Sequence, residues 1–275
     1  MKMEYYVMPG GLKVPSLGMG TWGMGGRMER YEANSAESTA SLKEGIRLGM
    51  AHIDTAEIYG AGMAEEIVGK AIAGIPRENI VITSKFWRYS KKEEMLRSVR
   101  ASLSRLGLEK LDFCLAHRPP EDDAYGEMAA AFREILDKGL ASHIGVSNFS
   151  LEQIEKLQGL LGDARISAIQ EEYNLLNQSA RRGLFDYCRK NNILVMAHRP
   201  LAKGMLASGG NPALEKMAAK YSKSVPQLAL RWLIQQKGVV AIPKASRIEH
   251  LHDNMGSLGW KISEEDMAEL GRLSK

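Results

Sequence analysis

An aspartate, a tyrosine, a lysine and a histidine stand at or just past separate strand-like runs of this chain: Asp54 in HIDT, Tyr59 in the loop after it, Lys85 ending VITSK and His117 ending LDFCLAH. Side chains of these four types can move a proton together. A phenol ionises near pH ~10 and is a poor donor or acceptor at neutrality. A neighbouring ammonium stabilises the phenolate, and a carboxylate beside the lysine keeps that lysine charged and in place. A tyrosine so placed is a usable general acid and base. A histidine opposite can donate a hydrogen bond to a carbonyl oxygen, so the set suits protonation of the alkoxide formed when hydride attacks a carbonyl. Taken singly, each residue has a plainer reading: Asp54 caps a turn, Tyr59 packs in a loop, Lys85 is a surface cation and His117 is a hydrogen-bonded core histidine. Their joint placement at matched strand ends is what points to chemistry.

Such placement requires parallel strands. Short apolar, often β-branched runs predict strands over 16–19, 52–54, 80–84, 111–116, 143–146, 166–169, 193–197 and 239–242. Between them lie segments with helical periodicity, among them AESTASLKEGIRLGM, KEEMLRSVRASLSRLG, AYGEMAAAFREILDKG and SVPQLALRWLIQQKG, several closed by a glycine suited to a helix C-cap. Alternation of this kind implies a parallel sheet. Regular units of roughly 30 residues, with candidate functional residues after nearly every strand, favour a closed α/β (β/α)8 TIM barrel over an open doubly wound sheet. The 275 residues suit one such domain spanning 1–275, and EYYVMPGGLKVP at the start reads as a β-hairpin with a Pro-Gly-Gly turn placed before the barrel.

Composition narrows the function. Apolar residues at 44% and charged residues at 25% suit a globular protein with a sizeable core and exclude disorder. The net charge of +4 is spread among alternating acids and bases, giving no support for nucleic-acid binding. Two cysteines, Cys114 and Cys188, suggest neither a disulfide framework nor a metal site. No secretory signal and no membrane-length apolar run is visible, so a cytoplasmic enzyme is expected. Gly18, Gly20 and Gly23 match the dinucleotide pattern GxGxxG, but the polar, glycine-rich GMGGRMERYEANS follows where that motif needs a helix. The match is read as a decoy.

The segments HIDTAEIYG, ITSKFW, LAHRPP, GVSNF and IPKASRIEHLHDN resemble, in order, the signatures of the aldo-keto reductase superfamily, and the resemblance runs from LGMGTWG to the last helix. It implies a short, prokaryotic-type member with a (β/α)8 barrel, NADPH as cofactor with NADH as a weaker one, and reversible reduction of aldehydes and ketones to alcohols. Asp54, Tyr59, Lys85 and His117 match the family's catalytic tetrad, with Tyr59 as proton donor. Ser147, Asn148 and Gln170 match residues around the nicotinamide carboxamide, and Thr21, Trp22 and Asp54 are placed beside the same cofactor. AHRPLAKGM covers His198, Arg199, Pro200, Leu201 and Lys203, which match a segment holding the nicotinamide and pyrophosphate.

Past the eighth strand, cations meet the start of a helix expected near Ile248, a combination that favours phosphate. The resemblance puts Lys244, Ala245, Ser246, Arg247 and His250 around the adenosine 2'-phosphate and Asp253 and Asn254 at the adenine. Trp22, Tyr59, Trp87, His117 and Arg118 match the substrate pocket. Three positions depart from the common family pattern: His198 for a tyrosine, His250 for an arginine and Arg118 for a tryptophan. A monomer acting on small carbonyl compounds is expected. Two other functions stay open: an aldolase-like lyase using Lys85 as a Schiff-base nucleophile, and a cofactor-binding regulatory subunit.

Overall fold

The computed structural model describes residues 2–178, 183–244 and 246–273. Strands β1 (Tyr5–Val7) and β2 (Lys13–Pro15) pair antiparallel, Tyr6 opposite Val14, and form the expected hairpin. Then come β3 (Met19–Gly20), α1 (Ser35–Arg47), β4 (His52–Asp54), α2 (Met63–Ile72), β5 (Val81–Phe86), α3 (Lys92–Leu106), β6 (Leu111–Ala116), α4 (Tyr125–Asp137) and β7 (Ala141–Ser147). The chain continues through α5 (Leu151–Leu160), β8 (Ile166–Glu172), α6 (Leu184–Lys190), β9 (Leu194–His198), α7 (Pro212–Lys220), α8 (Val225–Ile234), β10 (Val239–Ala241), α9 (Ile248–Met255) and α10 (Glu264–Leu270).

Strands β3 to β10 form one eight-stranded parallel sheet in chain order. Parallel bridges from Leu17 to Ala241 and from Gly20 to Lys244 join its two edges and close the (β/α)8 barrel. The first barrel strand is displaced from the expected 16–19. Its early residues pair across the seam instead, Gly18 N–H donating to Ala241 O and Ala241 N–H to Ser16 O. The three glycines of the decoy motif sit at close approaches, Gly20 and Gly23 at this seam and Gly18 against β4. A Cβ on Gly18 would stand 2.6 Å from His52 O, and one on Gly20 would stand 3.1 Å from Ile242 O. Both are closer than, or at the limit of, what a backbone oxygen tolerates.

Strand periodicity explains the two cores. On β5, Val81 joins an inner cluster with Phe113 and Leu115 of β6, Ala168, Leu194, Met196, Val240 and Ile242. Met8 and Val14 of the hairpin belong to the same cluster and plug one end of the barrel. The alternate residues, such as Ile82, Phe86, Cys114, Ala116 and Ile169, face the helices in the larger outer cluster. Side chains two apart share a face, so the inward rows run 52–54, 81–83–85, 113–115–117, 145–147, 168–170 and 194–196–198. The last residues of those rows are Asp54, Lys85, His117, Ser147, Gln170 and His198. Helix termini are defined locally: Ser150 with Gln153 and Ser224 with Gln227 form capping boxes on α5 and α8, and Gly107, left-handed at φ 67, ends α3.

Candidate active site

Each inward row thus ends in a polar group, and all of them reach one mouth of the barrel. Lys85, 1% exposed, donates from Nζ to Asp54 Oδ2 at 2.8 Å and to Thr55 O at 2.8 Å, and lies 3.5 Å from Tyr59 Oη. Gln170 Nε2 donates to Asp54 Oδ1 at 2.7 Å, so both oxygens of that carboxylate are engaged. Tyr59 stands above, its ring edge-on to Trp22 at 5.0 Å and to His117 at 5.6 Å. Trp87 also meets His117 edge-on, at 5.3 Å.

The segment that presents Tyr59 is built on backbone that a side chain would oppose. Gly60, Ala61 and Gly62 are all left-handed, at φ 55, 48 and 89. Gly60 N–H donates to Arg27 O at 2.8 Å, and a Cβ there would stand 2.3 Å from Gly25 O. The loop carrying Trp87 is held by Glu57, whose carboxylate accepts from the Trp87 backbone N–H, from Ser98 Oγ and from Tyr89 Oη.

Electrostatics assigns the protons. Burial alone pulls the Lys85 ammonium down, but Asp54 and Tyr59 more than offset it, and the net value lies above the ordinary 10.5. Lys85 is a held cation, which counts against its acting as a neutral amine nucleophile. Tyr59 differs in part from the sequence-based expectation. The Lys85 charge does pull its phenol down, but burial acts more strongly and Asp54 adds to it, so Tyr59 lies above its ordinary 10.0. At neutral pH it is a protonated phenol. Burial, aided by the charges of Lys85, Arg118 and His198, lowers His117 to about 2, and burial with Arg199 and Lys85 lowers His198 to about 4. Both imidazoles are neutral, and the buried His117 Nδ1 has no hydrogen-bond partner.

On the β7–β8 side, Ser147 Oγ donates to Gln170 O at 2.9 Å, and Asn148 Nδ2 lies 3.1 Å from His117 O and 2.9 Å from Ser147 Oγ. Asn148 is left-handed at φ 61. Glu171 faces outward and accepts the Phe149 N–H at 3.0 Å, bracing this turn from behind. Thr21 Oγ1 donates to Asp54 O at 3.0 Å. Past β9, Arg199 is tied to Glu172 at 2.7 Å, Asn174 Nδ2 donates to Arg199 O at 3.0 Å, Pro200 is buried, Leu201 is half-buried and Lys203 is exposed. Past β10, Lys244, Arg247 and His250 are exposed, Ser246 is half-buried and Asn254 is buried. Asp253 accepts from Gln227 Nε2 at 2.9 Å, so one of its oxygens is engaged within the protein. Ala245 lies outside the described residues. Arg118 is exposed at the rim.

The structure therefore brings together Asp54, Tyr59, Lys85, His117, Trp22, Trp87, Ser147, Asn148 and Gln170. The residues from Lys244 to Asn254 form a separate stretch past β10. Three contributors escaped the sequence reading: Thr55, whose carbonyl holds Lys85, Glu57, which anchors the Trp87 loop, and Glu171. Glu57 was within reach, standing inside HIDTAEIYG two residues before Tyr59; Thr55 acts through its backbone and leaves no side-chain signal.

A phosphate-bearing cofactor fits this rim. Among the described residues, Lys203, Lys244 and Arg247 have no carboxylate within ion-pairing distance, although acids are plentiful elsewhere on the surface.

A closed barrel with a buried lysine–carboxylate pair, a phenol and a neutral imidazole at its mouth is the site of an enzyme that handles protons. The family model for the aldo/keto reductase family matches residues 16–275, and the chain belongs to that family. It is 33% identical over 276 residues to the methylglyoxal reductase YeaE of Escherichia coli, covering 99% of this chain and 95% of that one. It is 35% identical over 268 residues to a glyoxal reductase of Bacillus subtilis, covering 96% and 91%. Among solved structures, the thermostable aldo-keto reductase Tm1743, in complex with the inhibitor epalrestat, superposes with a TM-score of 0.92 at 35% identity over the whole of both chains. An aldo/keto reductase from Klebsiella pneumoniae, in complex with NADP and acetate, superposes at 0.86 with 32% identity, covering 99% of this chain and 95% of that one. Among the described residues, no helix is long and apolar enough to cross a membrane.

Proposed function

We propose that this chain reduces small aldehydes and ketones to alcohols with NADPH, with Tyr59 as the proton donor. The observation that carries the reading is the buried Lys85, paired with Asp54 at 2.8 Å and standing 3.5 Å from the Tyr59 hydroxyl. When bound, the reduced nicotinamide supplies hydride. The residues that would hold it are Ser147, Asn148 and Gln170 on one side and the segment from His198 to Lys203 on the other, with Lys244, Ser246, Arg247 and His250 toward the phosphates.

The protein's own part is to bind and orient the carbonyl and to deliver a proton to its oxygen. Neutral His117 is a hydrogen-bond donor for that oxygen, and Trp22 and Trp87 wall the space beside it. Tyr59 gives up its proton as negative charge develops on the oxygen, and the nearby Lys85 ammonium stabilises the phenolate left behind. The pair of dicarbonyl reductases among the relatives supports small 2-oxoaldehydes as a substrate class.

The test follows NADPH consumption with methylglyoxal and with an activated aromatic aldehyde, for the wild type and Tyr59→Phe, alongside nucleotide binding. Loss of a general acid lowers turnover by about 10²- to 10⁴-fold, and binding should survive the change. Undiminished turnover in Tyr59→Phe would remove Tyr59 from its role. Tight NADPH binding without turnover of any carbonyl compound would favour a regulatory subunit.

A further inference from the structure

The turn from β7 to α5 presents Ser147 and Asn148 at the barrel mouth, and its successive backbone N–H groups are met in three different ways. Asn148 N–H donates to Gln170 O at 3.1 Å, continuing the β7–β8 pairing. Ser150 N–H donates to Gln153 Oε1 at 2.9 Å, as one half of the capping box on α5. Phe149 N–H, between them, has neither a strand nor a helix to satisfy it and donates to Glu171 Oε1 at 3.0 Å. Phe149 is buried, so without that carboxylate its N–H would stand unmet away from water, at a cost. This N–H belongs to the peptide that leaves Asn148, so Glu171 fixes the backbone of a residue held left-handed at φ 61. The Asn148 side chain in turn reaches across the mouth, Nδ2 lying 3.1 Å from His117 O and 2.9 Å from Ser147 Oγ.

An acid is a costly choice for this place. Burial raises the Glu171 carboxyl to about 7, although the Phe149 and Asn148 N–H groups and Arg118, past β6, favour its charge. The other titratable groups around it bring no compensating cation. Cys188 of α6 is a neutral thiol, pushed up to about 12 by burial and by Glu171 itself, and the adjacent Glu172 is tied to Arg199 at 2.7 Å. A glutamine would accept the same N–H without any cost of ionisation, so folding does not call for the carboxylate. What the carboxylate adds is strength, because a charge-assisted hydrogen bond is about twice as strong as a neutral one. A group kept against its own stability points to a role in the site.

We propose that Glu171 is a positioning residue for the nicotinamide end of the cofactor: its carboxylate holds the Phe149 N–H and through it sets the left-handed Asn148 beside Ser147 and His117. The proposal rests on the NADPH reading above. The experiment titrates NADP against the wild type, Glu171→Gln and Glu171→Leu at pH 5.5 and pH 8.5, following quenching of tryptophan fluorescence. Adenosine 2',5'-bisphosphate, which lacks the nicotinamide, is titrated alongside, and Tm is recorded without nucleotide. At pH 8.5 Glu171→Gln should bind NADP about fivefold more weakly than the wild type, the gap between a neutral hydrogen bond and one to a charged group. At pH 5.5, where the wild-type carboxyl is protonated as well, the two should bind alike. Titration of the cofactor's own phosphate is common to both proteins and leaves their ratio unchanged. Glu171→Leu, with no acceptor, should bind NADP more weakly than the wild type at both pH values. None of the substitutions should change the affinity for the bisphosphate.

The stability readout separates positioning from support of the fold. Glu171→Gln removes the cost of ionisation, so at pH 8.5 its Tm should exceed that of the wild type while its affinity for NADP falls. A residue that only held the fold together would move both in the same direction. Equal NADP affinity of Glu171→Gln and wild type at pH 8.5 would overturn the proposal while leaving the NADPH reading intact. So would a ratio of affinities that does not change with pH, or weaker binding accompanied by a lowered Tm or by an equal loss for the bisphosphate. A wild type that does not bind the dinucleotide would overturn the NADPH reading itself, and this proposal with it.

Discussion

Asp54→Asn tests the electrostatic account most sharply, because it removes one charge from a buried pair with almost no change of shape. In the wild type Lys85 Nζ lies 2.8 Å from the carboxylate and Gln170 Nε2 donates to the other oxygen at 2.7 Å. Asparagine offers one acceptor oxygen for these two donors, and its amide would confront whichever donor is left. At an effective dielectric of about 20, two charges at the 2.8 Å separation attract by about 6 kcal/mol. Some hydrogen bonding is kept, and breaking a buried pair typically costs about 3–5 kcal/mol. With a urea dependence of about 2–3 kcal/mol per molar, the unfolding midpoint should fall by roughly 1–2 M at pH 7.

The pH dependence carries a second signature of that substitution. In the wild type Lys85 lies above its ordinary 10.5, so its contribution is present below that value and is lost only as pH rises through the folded pKa. Without Asp54, burial dominates and the folded pKa drops below the unfolded one. The cost of the buried ammonium is then greatest at low pH and is relieved as pH rises. The gap between variant and wild type should therefore narrow from pH 7 to pH 10, and Asp54→Asn with Lys85→Met should recover most of the lost stability. Urea titrations followed by tryptophan fluorescence measure both effects. A loss under 1 kcal/mol at pH 7, or a gap that stays constant to pH 10, would refute the reasoning.

Two further substitutions probe the supports of the site. Burial pushes the Glu171 carboxyl up to about 7, with the Phe149 and Asn148 N–H groups and Arg118 opposing it. Its folded pKa lies above the unfolded one, so its ionisation costs nothing below about pH 4.5 and increasingly more as pH rises to 7. Glu171→Gln should accordingly be more stable than wild type above pH 7, by up to about 3 kcal/mol, and equal to it near pH 4; thermal melts at the two pH values check this. Gly60→Ala meets a left-handed backbone at φ 55 and Gly25 O at 2.3 Å. It should lose about 2 kcal/mol or more and lower turnover through Tyr59, whereas alanine at exposed Gly74, which meets nothing within 4 Å, should leave turnover unchanged.

Much of this site could be read along the chain, because a strand's period of two is local. Once VITSK and LDFCLAH are taken as inward–outward alternations, Lys85 and His117 fall on the same inward parity as Val81 and as Phe113, and the barrel mouth follows. The Pro-Gly-Gly hairpin and the capping boxes at Ser150 and Ser224 are local in the same sense. The resemblance of ordered motifs added the family, which the match over residues 16–275 shows.

Other properties depended on contacts between residues far apart in the chain. Closure of β3 onto β10 put Ile242 O against Gly20 and the Lys244 side chain against Gly23, while the pairing of β3 with β4 put His52 O against Gly18, so the decoy glycines owe their places to close approaches across the barrel wall. It also took 16–18 out of the strand read there, since those residues bond across the seam. The protonation state of Tyr59 was decided by tertiary structure as well. A lysine beside a phenol lowers its pKa in any sequence-based account, but burial disfavours the phenolate more strongly, and burial depends on what the folded barrel packs around the hydroxyl. The sequence by itself determined which groups stand at the strand ends and which way they point; the tertiary structure determined how far water is excluded from them and which distant charges they meet. Dielectric environment and long-range contact have no local period, so they arise only when the chain has closed on itself.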